Sequence, residues 1–423
     1  MSELREVLPA KGTSVELFAG GGGLAQAIHR SGFRPLLFNE HDKRACETLL
    51  ENGAYLADPE RNPPIPQPDE PWPLIAGDIQ DISFNYLDGK VDVLAGGPPC
   101  QPFSLGGVAK GDEDKRNMFP QMFRAIRQIS PKAVICENVR GLIRPSFKAY
   151  FDYIVRELTL PFEERPREAE WREHDDVLRR RLDEVEQRSP KRYDVIVTPV
   201  NAADYGVPQI RNRIIIVAFR ADLGIDIQRF KKLVEPEFSE TALLHSMVDG
   251  EYWKRHETVP ESVQNAVMAR IPKALPSPDG KRPWRTFRDA IGGIDGAKPL
   301  PPIPLEYLDR TERLLDGFTD HVGWPGARIY QGHTPNELDR PAKTVKAGVH
   351  GVPGGESVVL LDDGTYRYMT VREAARVMTF PDEWKLEGPR GEKMRQLGNA
   401  VPVLLGEVFA KAVATVLREV DRD

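Results

Sequence analysis

Positions 96–104 read Gly-Gly-Pro-Pro-Cys-Gln-Pro-Phe-Ser, with Cys100 behind two prolines. The preceding run 91–95, Val-Asp-Val-Leu-Ala, has the makings of a short buried strand bounded by a lysine and paired glycines. Pro98 and Pro99 fix φ and restrict the residue before each, so the loop is stiff before any contact forms. Ligands of an open parallel sheet lie beyond the carboxyl ends of its strands, where Cys100 would stand. A thiol so mounted suits a nucleophile. A packing cysteine, the common fate of a free thiol, needs no such mounting. On this stretch alone both readings stand.

A second constellation lies upstream. Residues 17–27, Leu-Phe-Ala-Gly-Gly-Gly-Gly-Leu-Ala-Gln-Ala, place glycines between a strand pattern and a helix pattern. Such a turn lets a ligand approach the backbone closely. Glu40 closes the next strand, 20 residues after Gly20, where an acid binds ribose hydroxyls. Asp78, in Gly-Asp-Ile, is a further acid at the same sheet edge. Glycine loop and acid together fit NAD, FAD or S-adenosylmethionine. A tight turn with two solvated carboxylates is the plainer alternative.

The elements that must position these residues alternate. Residues 14–18, 34–40, 74–79, 91–95 and 132–139 read as strands, with helix patterns after the first and second and between the last two. The second helix is opened by Asp42 and closed by Gly53, and 58–73 is a proline-rich surface excursion. This is a βαβ rhythm, hence an α/β doubly wound, mostly parallel sheet. Residues 161–192 interrupt it with ten acids and nine bases around a thin stripe of Trp171, Leu178, Leu182 and Val185, which predicts a charged surface helix. Residues 192–200 and 213–219 resume as strands. From 221 to 345 the rhythm disappears into proline- and glycine-punctuated sequence with basic and aromatic residues mixed, read as a separate irregular domain. The tail returns to helix at 370–380 and at 402–420, the latter with Leu405, Val408, Ala412 and Val416 on one face.

Composition narrows the class. A chain of 423 residues, 40% hydrophobic and 29% charged, reads as soluble and multidomain. The charged start and the lack of a long apolar run argue against a signal peptide or membrane span. Three cysteines argue for a reducing compartment, and no zinc spacing is present, so no metal is expected. The net charge of −6 confines any nucleic-acid contact to a local basic face.

With Phe-Ala-Gly-Gly-Gly-Gly-Leu, Gly-Gly-Pro-Pro-Cys-Gln-Pro-Phe-Ser, Glu-Asn-Val (137–139), Gln-Ile-Arg-Asn-Arg (209–213) and Gly-Asn-Ala-Val-Pro (398–402) in this order, the chain resembles the DNA cytosine-5 methyltransferase family. The resemblance covers 12–160, 193–220 and 340–420. It implies the S-adenosylmethionine-dependent methyltransferase fold with a second, smaller, irregular target-recognition domain. The expected division is a catalytic domain at 1–220 completed by 376–423, a recognition domain and hinge at 221–375, and a charged helical insertion at 161–192. Cytosine C5 is a poor nucleophile, and adding a thiolate at C6 makes the ring an enamine with electron density at C5. The resemblance makes Cys100 that thiolate, has Glu137 hydrogen-bond N3 and the exocyclic amine, and has Arg213 hold Glu137 and the O2 side. Arg211 joins Arg213 in favouring the thiolate. Read singly, Glu137 is also a strand-end carboxylate and the two arginines a solvated hairpin.

For S-adenosylmethionine the resemblance implies Phe18 stacked on adenine, Glu40 on the ribose, Asp78 on the adenine amine and Ile79 packed on the ring. Gly20, Gly22, Gly23, Leu24, His41, Gly97 and Pro99 line the pocket, and Asn399 and Val401 complete it. The substrate is double-stranded DNA with the target base flipped out, under a lid formed by 104–117. Gln101 and Ser104 are expected DNA contacts, and Arg328, His333, Lys343, Lys346 and His350 are candidates for recognition. The basic stretch 280–288 competes for that role, but Thr286 and Asp289 read better as a capping box. Cys46 and Cys136 fall in helix and strand patterns and are expected to be structural. A restriction endonuclease or a defence-system protein is a further expected partner, and a cytoplasmic, nucleoid-associated monomer is expected. The alternatives are a tRNA cytosine-5 methyltransferase and, remotely, an NAD-dependent oxidoreductase.

Overall fold

The apolar runs become strands in the computed structural model, which describes residues 12–59, 61–67, 70–99, 117–293, 295–303, 314–324, 326–329, 331–347 and 357–420. Cys100, Gln101, Ser104, His350 and nearly all of the expected lid lie outside the described residues. Eight strands form one sheet: β1 (Gly12–Leu17), β2 (Phe33–Glu40), β3 (Ala54–Leu56), β4 (Trp72–Ala76), β5 (Val93–Gly96), β6 (Ala133–Val139), β7 (Tyr193–Asn201) and β8 (Asn212–Arg220). Their order is β3-β4-β2-β1-β5-β6-β8-β7. The pairs from β3 to β6 are all parallel, whereas β8 runs antiparallel to β6. The order turns back between β1 and β5, which puts the switch point at their carboxyl ends.

Register builds a rim there. Leu17 lies opposite Asn39 and Gly96, Glu40 opposite Ala76, and Gly96 opposite Cys136. Phe18, Glu40, Gly77, Gly97 and Glu137 therefore all leave the sheet at one edge.

Helices α1 (Gly23–Arg30), α2 (Lys43–Glu51), α3 (Phe119–Ile129), α4 (Lys148–Thr159) and α5 (Trp171–Glu184) accompany the sheet. Asp42 caps α2 as the sequence predicts, accepting from the N–H groups of Arg44 and Ala45 at 3.1 and 2.9 Å. The core joins Val15, Leu37, Leu94, Val134 and Ile216 of the strands to Phe119, Phe123 and Ile126 of α3 and Ile154 and Leu158 of α4. Trp171 and Leu178 of α5 belong to the same core, so the charged insertion buries its thin stripe. A fork from Arg156 to Asp175, at 2.5 and 2.9 Å, fastens α5 to α4.

The chain divides into two compact units. One holds the sheet and comprises the described residues of Glu6–Val200, Asn212–Val234 and Gly406–Asp423, including α6 (Ile227–Leu233). The other comprises Asn201–Arg211 and the described residues of Glu235–Leu405. It is built of short helices, α7 (Glu240–Val248), α8 (Glu251–Arg255), α9 (Glu261–Met268), α10 (Phe287–Gly292), α11 (Val371–Val377) and α12 (Arg390–Asn399), with three small ladders of two- and three-residue strands. Phe238, Leu243, Met247, Tyr252 and Trp284 form a small core in it.

The last helix, α13 (Val403–Val420), passes from the second unit into the sheet unit. Its Leu405, Phe409, Val413 and Val416 are buried, and buried Glu407 pairs with Arg30 of α1 at 3.2 Å. The helical stretch Arg390–Val420 is, against the sequence expectation, long and apolar enough to cross a membrane, but 78% of its apolar window is buried inside the protein. Its apolar character serves a core.

Candidate active site

The sheet rim begins with a strained residue. Phe18 has φ 56°, a left-handed conformation that costs a non-glycine residue energy and concentrates at functional sites. Ala19 N–H donates to the Asn39 carbonyl at 3.1 Å, and Gly22 N–H returns to the Ala19 carbonyl at 3.0 Å. Gly22 caps α1 at φ 86°, which is why a glycine stands there. Gly23 and Leu24 open the helix and are buried, so Leu24 offers the rim its backbone.

Glu40 organises this loop. One carboxylate oxygen, Oε2, accepts from Gly20 N–H at 2.7 Å; the other, Oε1, accepts from His41 and Asp42 N–H groups at 2.8 Å each. The His41 ring stands 3.2 Å from Oε1 with its side chain largely exposed. Burial alone would raise the Glu40 pKa, but the hydrogen bonds from His41, Asp42 and Gly20 outweigh it and hold the carboxyl below its ordinary value. The Glu40 bond in turn raises the His41 pKa. An ionised carboxylate accepts about four hydrogen bonds, so a hydroxyl donor fits at Oε2.

The second acid stands on a turn fastened to the same rim. Gly77 N–H donates to the Glu40 carbonyl at 2.9 Å, while Asn39 Nδ2 donates to the Ile75 and Gly77 carbonyls at 3.1 and 3.0 Å. Asp78 is exposed and caps the turn Ile79–Asp81, accepting from Gln80 N–H at 2.9 Å. Ile79 is buried in the sheet core. Phe18, Glu40 and Asp78 thus share one edge of one unit.

Past β5 the proline loop is described as far as Pro99. Buried Asn138 donates from Nδ2 to the Pro98 carbonyl at 3.0 Å, two residues before Cys100. Glu137 beside it is buried, with Oε1 2.7 Å from Nε of Arg213 on neighbouring β8. Both pair members are nearly enclosed, at 9% and 13% side-chain exposure, so the carboxylate is held by charge as well as by geometry. A Cβ at Gly97 would stand 3.6 Å from Glu137 Oε2. Of the other thiols, Cys46 and Cys136 are buried and their pKa values are pushed up to about 12 by burial. Neither makes a thiolate at neutral pH.

Arg211 is placed differently from its partner in the motif. It is fully buried in the second unit and donates to the carbonyls of Val345 (3.0 Å), Gly398 (2.6 Å) and Ala400 (3.0 Å). These contacts make it a brace between three chain segments, where the sequence suggested a field on the thiolate. Gln209 joins the brace, accepting from Val345 N–H at 3.3 Å, and Ile210 N–H donates to the Ala342 carbonyl at 2.8 Å. Asn399 is exposed at the end of α12, and Val401 is buried.

Among the recognition candidates Arg328, His333 and Lys346 are exposed, while Lys343 Nζ is taken by the Thr334 carbonyl at 2.5 Å and the Thr334 hydroxyl. The capping box at Thr286 and Asp289 is present. The basic stretch serves it and the surrounding core: Arg288 forks between Asp339 and Asp362, Trp284 donates to Asp204 at 2.9 Å, and Arg282 and Arg285 stand over the Phe238 ring.

Two rim residues escape sequence reasoning. Asn138 sits unremarked between a charged and an apolar neighbour, although its place in Glu-Asn-Val is a signal. Glu16, buried in β1, accepts from Ala25 N–H at the start of α1, and burial pushes its pKa well above the ordinary value. Together the rim offers a hydroxyl-binding carboxylate, an exposed acid and a charge-locked carboxylate behind a stiff loop. Those are the parts of a nucleoside site beside a site for a polar heterocycle.

Comparison with known proteins shows the family. The family model described as C-5 cytosine-specific DNA methylase matches residues 12–160 and 173–415. The chain is 31% identical to the type II methyltransferase M.PspPI of Psychrobacter sp. (strain TA137), covering 97% of this chain and 80% of that protein. It is 30% identical to the type II methyltransferase M.Eco47II of Escherichia coli, again over 97% and 80%. Among solved structures, the S. pombe Dnmt2 methyltransferase shares the fold with TM-score 0.51 at 15% identity, over 97% of this chain and 99% of that one. A mutant form of the Spodoptera frugiperda DNMT2 does so with TM-score 0.54 at 15% identity, over 95% and 99%.

Proposed function

The chain belongs to the C-5 cytosine-specific DNA methylase family and is a DNA cytosine-5 methyltransferase, and we propose that it acts on a flipped-out cytosine of a specific duplex sequence through Cys100. The buried Glu137–Arg213 pair, beside the loop that Asn138 pins, carries this reading. The Cys100 thiolate bonds to C6 of the base, and the displaced ring electrons collect at C5. Glu137, taking up a proton from solvent as the base enters, donates it to N3 with one oxygen and accepts from the exocyclic amine with the other as charge builds on the ring. Arg213 keeps Glu137 oriented and balances that charge. S-adenosylmethionine, when bound, supplies the electrophilic methyl group that C5 takes up. A base then removes the C5 proton, the C5–C6 double bond re-forms and the thiolate leaves.

The residues at the sheet rim fit that cofactor. Glu40 has an acceptor position for a ribose hydroxyl, Asp78 for the adenine amine, and Phe18 and Ile79 flank the place between. Gly20, Gly22, Gly23, Leu24, His41, Gly97 and Pro99 border it, and the family resemblance adds Asn399 and Val401. The second unit, with Arg328, His333 and Lys346 at its surface, is the part that reads the DNA, and Gln101, Ser104, Lys343 and His350 add contacts. The type II names of its relatives favour pairing with a restriction endonuclease. The enzyme works as a monomer in the cytoplasm, on the nucleoid.

The decisive experiment offers duplex DNA with 5-fluorocytosine at the methylated position, together with S-adenosylmethionine. Wild type should form an SDS-stable adduct, and Cys100→Ser should form none while still binding DNA. An adduct that survives in Cys100→Ser would refute the assignment of the nucleophile.

A further inference from the structure

We propose that Arg124 of α3 is a positioning residue for adenine recognition, acting through the turn that carries Asp78. Its guanidinium grips both ends of that turn. Nη2 donates to the Ile79 carbonyl at 2.6 Å and Nη1 to the Ile82 carbonyl at 2.7 Å. Nε donates to Gln121 Oε1 at 2.8 Å, which fixes the fork to its own helix. Gln128, one turn further along α3, accepts from Phe84 N–H at 3.0 Å and lies 3.4 Å from Arg124 Nη1. The guanidinium also stands 5.6 Å from the centre of the Phe84 ring.

This is a costly way to hold a turn. The acceptors around Arg124 are neutral oxygens, and burial, with Arg127 nearby, lowers its hold on the proton. What the arginine provides is geometry: a rigid planar fork reaches the two carbonyls from two separate nitrogens, a spacing that the single nitrogen of an ammonium does not reproduce. The opposite side of the turn is fastened to β2 through Asn39 and the Glu40 carbonyl. Between these two anchors, Asp78 is held at a fixed offset from Glu40. One acid reads ribose and the other reads the base, so that offset is a ruler for adenosine.

The inference rests on the reading that this rim takes S-adenosylmethionine, and the test separates the two. Calorimetry would compare S-adenosylhomocysteine with its inosine counterpart, in which the exocyclic amine is a carbonyl. Wild type should prefer the adenine form about tenfold or more, the worth of one hydrogen bond to a charged acceptor. Arg124→Ala should bring that preference close to unity, and Asp78→Ala should match it. Arg124→Lys should fall between, because it keeps the charge but replaces the two-nitrogen fork with one nitrogen. In turnover, Arg124→Ala should raise KM for S-adenosylmethionine about tenfold and leave kcat at saturating cofactor within about twofold.

A residue that merely stabilises the fold would lower the melting temperature and weaken both ligands equally. An Arg124→Ala protein that keeps the wild-type preference overturns the proposal. If that variant does not fold, Arg124→Lys and Gln128→Ala decide the matter by the same ratio. A wild-type protein that binds neither ligand, or binds them equally, overturns the cofactor reading itself and the proposal with it.

Discussion

Gly398 opens Gly-Asn-Ala-Val-Pro, and the structure shows what the glycine is for. A Cβ there would lie 2.3 Å from the Ala347 nitrogen and 2.4 Å from the Lys346 carbonyl carbon, both main-chain atoms. Ordinary contact begins near 3.4 Å, so a Gly398→Ala chain must separate its segments by about 1 Å. Arg211 bridges those segments through the Val345, Gly398 and Ala400 carbonyls at 3.0, 2.6 and 3.0 Å. A shift of about 1 Å takes at least one of these beyond hydrogen-bond range. Hydrogen bonds to a charged group are worth about 1.5–3 kcal/mol, and a guanidinium buried to this depth adds desolvation cost when its acceptors leave. The expected loss is about 3–5 kcal/mol. Urea unfolding followed by fluorescence measures it, with Gly391→Ala as the control. Gly391 lies in the same helix with nothing near its Cβ position, so alanine there should be neutral or stabilise by about 0.5–1 kcal/mol. A Gly398→Ala protein within about 1 kcal/mol of wild type would refute the steric argument.

Glu40→Gln keeps the size of the side chain and removes the charge that three N–H groups and His41 face; S-adenosylmethionine affinity should fall about tenfold or more by calorimetry, with the fold retained. Glu157 of α4, buried beside Tyr153, Arg127 and His174, has its pKa raised by burial to about 7 from an ordinary 4.5. The folded chain therefore holds a proton that the unfolded chain releases, and stability from this group is full below 4.5 and lost as pH rises through about 7. Glu157→Gln should flatten the decline in melting temperature across that window, a term of about 3 kcal/mol; an unchanged slope would count against it. Removing residues 396–423 takes away Arg211's acceptors at 398 and 400 and buried Phe409 and Val413. The product should aggregate or lose cofactor binding, and a soluble product with normal affinity would contradict this.

The sheet was legible because its signals are local. Apolar runs of strand length, Asp42 before a helix pattern and glycines after β1 each act within a few residues. Glu40 and Asp78 followed from strand ends. What escaped are groups whose partners are distant in sequence. Arg124 reads as one more charge on an amphipathic helix until the carbonyls of Ile79 and Ile82 are found against it. Arg211 and Arg213 are two residues apart, and nothing local says that one is sealed among carbonyls and the other faces Glu137. Arg288 lies in a basic stretch that competes for DNA contact, and nothing local shows that Asp339 and Asp362, 51 and 74 residues away in the chain, receive it. The two-residue strands of the second unit carry too few residues for alternation to register.

The Arg211 brace bears on how new specificities arise by exchange of gene segments. Residues 208–211 run beside 342–345, and both close on 398–400, so three stretches far apart in the gene form one joint. A donor cassette cut at 221 and 375 would pair a recipient's Arg211 with a foreign 342–347 and leave the joint mismatched. A cassette confined to 235–340 keeps all three stretches from one parent. Viable hybrids among such enzymes, whether made by recombination or at the bench, should have their crossovers inside that narrower interval, with the glycine at 398 and the arginine at 211 inherited together.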